Sequence, residues 1–263
     1  MTTVLLPTVA YGDPASPPLV YLRGLPSDPG RLHGAEAIGE RLILRGPLRG
    51  HRVHAVGRPA RLERGADMAE IAGLYADAVR RRFDGPVALM GVSTGASVAF
   101  QVAVDHPEVV GSLVIAAGAA TLGTEGRAVQ RRYAELLGDP AAAVPESPKL
   151  DSLLRAAIRV TRSLEDREGL RALVEAEDGF DVRERLGRVR GPVLVVSGGR
   201  DRFYPLSVVD ETVRRLPHAT HIVYANRSHV GTALHPRFAD DVDRFLRRAA
   251  PTGADLRTRP AVP

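Results

Sequence analysis

The chain reads as an α/β protein, with a mostly parallel central sheet flanked by helices on both faces. Three observations lead there. Seven short runs rich in Val, Leu and Ile alternate with stretches of helical period along the 263 residues. The later runs, above all Pro192-Val193-Leu194-Val195-Val196-Ser197, are apolar without alternation, as strands buried on both sheet faces are and half-exposed antiparallel strands are not. Hydrophobic residues make up 44% and charged residues 25%, the balance of a folded globular domain, which sets aside a disordered or fibrous chain.

The strand runs fall at residues 3–10, 19–22, 52–56, 87–91, 112–116, 193–197 and 221–224. Helical periods lie between most of them, at 35–44, 68–83, 96–105, 208–216 and 236–249. The first two strands are joined across a Gly- and Pro-rich stretch, 11–18, that makes a turn and no crossover helix, so they are expected to pair antiparallel. From about 121 to 190 the alternation stops. Helical patterns at 125–137, 150–163 and 164–177, punctuated by Gly138-Asp139-Pro140 and Pro145 to Pro148, predict a helical cap or lid inserted before the strand that follows it. A pair of surface helices with no part in binding is the plainer alternative, since an inserted helix needs only one buried face. The division is then a core of 1–120 and 191–250, a cap of 121–190 and a flexible tail of 251–263.

The formal charge is +5, from 36 Lys and Arg against 31 Asp and Glu, and Lys149 is the one lysine. The arginines interleave with acids, as in 165–171 and 183–188, which is a solvated mixed-charge face and not a nucleic-acid footprint. Absence of Cys excludes disulfides, thiolate metal sites and cysteine nucleophiles. The first residues carry no positive segment, and no run approaches the ~20 apolar residues of a membrane span, so a cytoplasmic protein without membrane contact is expected. His51 and His54 bracket a strand that points them to opposite faces, so no metal is expected there. No phosphate-cradling loop follows a strand, and no cofactor is implied.

Chemistry begins at Gly91-Val92-Ser93-Thr94-Gly95, placed directly between a strand and a small-residue helix. The bare spacing is a weak signal, but strand, turn and helix together make it a nucleophile elbow, where the glycines let strand and helix approach and the serine stands exposed. A serine hydroxyl needs a base and the base an orienting acid. His229, in Asn226-Arg227-Ser228-His229, follows one strand, and Asp201, in Gly199-Arg200-Asp201, follows the strand before it. The order Ser93, Asp201, His229 is one of three known triad orders. Rivals are weaker. Asp210 lies inside a helical pattern, His221 is in strand register, His218 follows Pro217 in a turn, His235 precedes Pro236, and His106 ends the helix after the elbow.

With these residues in hand, the chain resembles the α/β-hydrolase superfamily, more narrowly its single-domain serine hydrolases of actinobacterial type. The likeness runs from about Tyr11 to Leu246 and rests on Leu19-Val20-Tyr21-Leu22-Arg23-Gly24, the elbow, Asp105-His106-Pro107-Glu108 with Leu113-Val114, Gly199-Arg200-Asp201 and Ser228-His229. It implies an α/β-hydrolase fold with a helical cap inserted before the strand carrying the acid, and an oxyanion hole from the backbone amides of Thr94 and, in the early loop, Leu25. Members of the superfamily usually have His-Gly where this chain has Arg23-Gly24. Arg23 either holds a substrate carboxylate bidentately or sits in a structural ion pair, and Tyr204 is a second possible substrate contact.

The function implied is cleavage of a carboxylic ester, lactone or thioester through an acyl-enzyme, while a serine nucleophile sets aside the dehalogenases and epoxide hydrolases, which use a carboxylate there. Leu153, Leu154, Ile158, Leu170, Leu173 and Phe180 in the cap suggest a small-molecule substrate with a hydrophobic acyl or alkyl group, or else simply pack helices. Alternatives are a non-hydrolytic ligand-binding or substrate-folding member of the same fold, and an acyltransferase of natural-product assembly.

Overall fold

The computed structural model describes residues 6–25, 32–59, 62–138 and 166–249. Seven strands form one sheet: β1 (Thr8–Tyr11), β2 (Pro18–Leu22), β3 (Arg52–Val56), β4 (Val87–Val92), β5 (Val110–Ala116), β6 (Val193–Gly198) and β7 (Ala219–Tyr224), in the order β1-β3-β2-β4-β5-β6-β7. All neighbours are parallel except β1, which runs antiparallel to β3. The expected pairing of β1 with β2 is therefore corrected. β3 lies between them, Leu19 facing Val53 in parallel register and Tyr11 facing Val53 from the other side. The loop from Gly12 to Pro17 crosses the end of β3, a step of about 10 Å that a chain of this length spans easily.

The helices are α1 (Gly34–Leu44), α2 (Met68–Arg82), α3 (Thr94–Asp105), α4 (Thr124–Gly138), α5 (Arg167–Asp178), α6 (Leu206–Arg215), α7 (His229–Ala233) and α8 (Phe238–Ala249). Strand side chains alternate between two apolar layers, as their two-residue period requires. Val20, Leu22, Leu89, Leu113, Ile115, Val193 and Val195 pack with α2 and α3 on one face. Leu19, Tyr21, Met90, Val114, Ala116, Leu194 and Val196 pack with Leu44 of α1 and Phe238, Val242 and Leu246 of α8 on the other. Every residue of β2 and β6 is buried, which is why those runs show no alternation in sequence. Asp67 caps α2 and Glu70 reciprocates, a capping box.

Between β5 and β6 the described residues hold α4, α5, a 3-10 turn at Arg183–Arg188 and one isolated antiparallel bridge, Thr121 with Asp181. α4 and α5 share a small apolar cluster of their own, Val129, Tyr133, Ala134, Leu137, Leu170 and Val174, against which Leu25 and Phe203 pack from the core. Leu173 and Phe180 belong instead to the main core, so these two are packing residues. The expected helix at 150–163, with Leu153, Leu154 and Ile158, lies outside the described residues, as does the tail 251–263. No helix among the described residues is long and apolar enough to cross a membrane.

Candidate active site

β4 and α3 meet at a turn too tight for ordinary residues. A Cβ on Gly91 falls 2.2 Å from the Gly95 carbonyl oxygen, and one on Gly95 falls 2.2 Å from the carbonyl oxygen of Leu22. Only glycine fits either place. Between them Ser93 takes φ 56° and ψ −125°, a strained conformation for a residue with a side chain. Its amide donates to the Ala116 carbonyl at 3.0 Å and its carbonyl accepts from Ala96 N at 2.7 Å, so both neighbouring strand and following helix hold the strain in place.

The acid comes from the turn after β6. Gly199 lies so close to Ala225 that a Cβ would sit 2.4 Å from its carbonyl oxygen, which draws this turn against the one after β7. Asp201 is buried. Its Oδ1 accepts the amides of Phe203 at 2.9 Å and Tyr204 at 3.1 Å, and this aims Oδ2 at His229 Nδ1, 2.9 Å away. His229 opens the short helix α7, and its Nε2 is 2.8 Å from Ser93 Oγ. With Nδ1 protonated toward the carboxylate, an assignment made from the hydrogen-bond network, Nε2 is the acceptor for the serine proton. The imidazole is walled by Phe203, ring centroids 4.6 Å apart, and by Tyr204 at 5.8 Å and 24°.

Thr94 supplies the first amide of α3, in the unbonded first turn. Leu25 follows Gly24, whose added Cβ would lie 3.0 Å from Ser93 Cβ and 2.9 Å from the Val92 carbonyl oxygen, so the early loop runs directly beside the nucleophile. Arg23 points elsewhere. Its Nε and Nη2 lie 2.5 and 3.1 Å from the carboxylate of Glu40 in α1, both side chains buried, and Tyr11 donates to the same carboxylate at 2.9 Å. Of its two sequence readings, the ion pair is what the structure displays. Tyr204 is also buried, its hydroxyl bonded to Ser97 and Glu177 behind the imidazole.

Of the rival histidines, His221, His235 and His106 have contacts of their own. His221 Nε2 is 2.7 Å from Ser197 Oγ and its Nδ1 is 3.8 Å from Asp210, a second grouping of the same three residue types. Ser197 is buried within β6, without a strained turn, and Asp210 is largely in solvent, so neither nucleophile access nor a held acid exists there. His235 stacks on Tyr224 at 3.9 Å, and His106 lies 3.1 Å from Arg80. Phe203, Glu40 and Glu177 stand at the site without a motif that names them. Phe203 was discoverable from its place two residues after the acid; Glu40 and Glu177 sit in ordinary helical patterns and carry no local signal.

Residues 48–230 match the family model described as serine aminopeptidase, S33, a hydrolase family, over more than half of the chain. The chain belongs to this family of α/β-hydrolases. The matched span takes in Ser93, Asp201 and His229 and leaves the early loop at Leu25 outside. Among curated proteins, this α/β-hydrolase is 26% identical over 176 residues to a pimeloyl-[acyl-carrier protein] methyl ester esterase of Neisseria meningitidis serogroup A, covering 61% of the chain and 56% of that protein. The chain thus aligns with little more than half the length of that relative. Among solved structures, the α/β-hydrolase resembles BpoC of Mycobacterium tuberculosis at TM-score 0.72 and 19% identity, over 95% of this chain and 98% of that one. It resembles the enol-lactonase of Burkholderia xenovorans at TM-score 0.70 and 17% identity, over 93% and 95%. These two likenesses are of fold.

Proposed function

We propose that the chain is a serine hydrolase that cleaves a carboxylic ester, lactone or thioester through an acyl-enzyme. The observation that carries the reading is the unbroken line from Asp201 Oδ2 through the imidazole of His229 to the hydroxyl of a strained Ser93, 2.9 and 2.8 Å per link. The esterase name of the Neisseria relative points the same way.

In this mechanism Ser93 Oγ bonds to the substrate carbonyl carbon as its proton passes to His229 Nε2. Asp201 stabilises the resulting imidazolium, and the amides of Thr94 and Leu25 receive the oxyanion. Collapse breaks the bond to the leaving alcohol or thiol, which takes the proton from Nε2. Water then attacks the acyl carbon with the same base, and Ser93 departs with its proton restored. No metal or redox partner is required for this balance.

α4 and α5 serve as the cap over the strand ends in this reading. Leu25 and Phe203 stand on the site side of the α4–α5 apolar cluster, which favours a small-molecule substrate with a hydrophobic acyl or alkyl group. A fluorophosphonate probe tests the assignment, with one equivalent of label expected on the wild type and none on Ser93→Ala. A panel of esters, lactones and thioesters of varied chain length then ranks substrates. Ligand binding without labelling or turnover would favour the non-hydrolytic alternative instead.

A further inference from the structure

Behind the elbow lies a carboxylate that the mechanism above does not use. Glu177, in the last turn of α5, has no exposed surface. Its Oε2 accepts from Thr94 Oγ1 at 2.7 Å and Gln130 Nε2 at 2.5 Å, and its Oε1 from Ser97 Oγ at 2.7 Å and the Tyr204 hydroxyl at 3.1 Å. These donors come from three places: the first turn of α3, the middle of α4 and the turn after the acid. Two donors per oxygen satisfy an ionised carboxylate, which only accepts. None of the four is a cation, and Glu177 sits at the negative end of its own helix. Burial accordingly pushes its pKa up while the four hydrogen bonds pull it back.

A buried acid that has no cationic partner among the described residues is an expensive way to fill a core, since an apolar side chain of similar volume costs less there. Departures from the cheapest packing concentrate where function needs them. Here the four donors include both parts of the reaction centre that need fixing. Thr94 offers its amide to the oxyanion on one side and its hydroxyl to Glu177 on the other, so the carboxylate sets the rotation of that first helical turn. Tyr204 gives its hydroxyl to Glu177, its amide to Asp201 and its ring face to His229. An oxyanion donor has to sit within about 0.5 Å of its working place to act.

We propose that Glu177 is a positioning residue of this reaction, a carboxylate carried by α5 that fixes the Thr94 peptide and the Tyr204 ring together and so keeps the oxyanion amide and the His229 imidazole in register. This rests on the acyl-enzyme reading. It also gives the α4–α5 pair a role in catalysis besides covering the site, because Glu177 and Gln130 both belong to it.

The test compares wild type, Glu177→Gln and Ser97→Ala on a p-nitrophenyl ester, with rates expressed per site titrated by fluorophosphonate and Ser93→Ala as the blank. In Glu177→Gln the negative charge is lost and an NH2 group faces two of the four partners, whose hydroxyls have to turn round and accept from it, so half of the network runs in the reverse direction. The kcat of this variant is expected to fall about 10- to 100-fold with KM within about two-fold, and the Ki of a trifluoromethyl ketone, which binds as an oxyanion adduct, to rise by the same factor. Ser97→Ala removes one donor without baring a charge, so it gives an answer even if Glu177→Gln folds poorly, and a smaller fall in kcat at constant KM is expected. Wild-type kcat per titrated site in both variants, or a loss in kcat with the ketone Ki unmoved, overturns the positioning role. If the wild type itself neither hydrolyses an ester nor takes the label, it is the acyl-enzyme reading that fails, and the positioning role falls with it.

Discussion

Glu40 grips Arg23 from α1, with Oε2 2.5 Å from Nε, and the pair sits buried one residue before Gly24, whose backbone lies against Ser93. The position where the superfamily usually carries His is thus filled by an ion pair that anchors the early loop. Removing one member of such a pair takes from the other the buried charge that it faces. Glu40→Ala is expected to cost about 3–5 kcal/mol, more than the double change Arg23→Met with Glu40→Leu, because the double removes both charges together. Urea unfolding of the three proteins measures it, and equal losses in the single and double variants contradict it.

The carboxylate of Asp201 is held by two amides, so an amide in its place keeps the turn but presents the wrong partner to Nδ1. Asp201→Asn is expected to lower kcat on the order of 10⁴-fold with little change in stability. Fluorophosphonate labelling of this variant slows with it. A loss under about ten-fold would place the orienting acid elsewhere.

Sheet and elbow were legible because their signals are local. The buried runs of β2 and β6 announce themselves by lack of alternation, and Gly91 and Gly95 by a steric need that no other residue meets. Asp201 and His229 were readable since each follows a strand in a parallel sheet whose strand ends share one edge. Three things were not. The place of β3 between β1 and β2 depends on hydrogen bonds from both sides, which no run of residues encodes. α7 is five residues, His229–Ala233, without a periodic face. Glu40 and Glu177 look like solvent-facing helix acids, and only contacts with Arg23, Thr94, Ser97, Gln130 and Tyr204, distant in sequence, turn them inward.

Two glycines in helices make opposite predictions. A methyl group on Gly95 would meet the carbonyl oxygens of Leu22 at 2.2 Å and Arg23 at 2.6 Å, backbone atoms of a fully buried strand end that have nowhere to go. Gly95→Ala is expected to destabilise by about 3 kcal/mol or more and to abolish turnover, since relief comes only by moving α3 and with it Ser93. Gly73, inside α2, has nothing within 4 Å of such a methyl. Gly73→Ala is expected to stabilise by about 0.5–1 kcal/mol through helix propensity and leave turnover as it was. Thermal unfolding of both variants tests the contrast, and a loss of stability at Gly73 would contradict it.

His54 sets the acid side of stability. It lies in β3 between Ala10 and Val20, buried, with its ring edge-on to Phe83 at 5.1 Å, and among the described residues neither ring nitrogen has a hydrogen-bond partner. Burial, seconded by Arg82 and Arg52, lowers its pKa from 6.5 to about 4. The unfolded chain therefore binds a proton that the folded one refuses. Stability is full above the unfolded value, declines as pH falls from about 6.5, and ceases to change on this residue's account below about 4, with a total of up to ~3 kcal/mol. His51 and His221 are lowered in the same direction by burial and add to the slope. Urea unfolding at about pH 7.5, 6 and 5 is expected to show His54→Leu losing less stability across that range than the wild type. Parallel curves for the two proteins would mean that some other group takes up the proton.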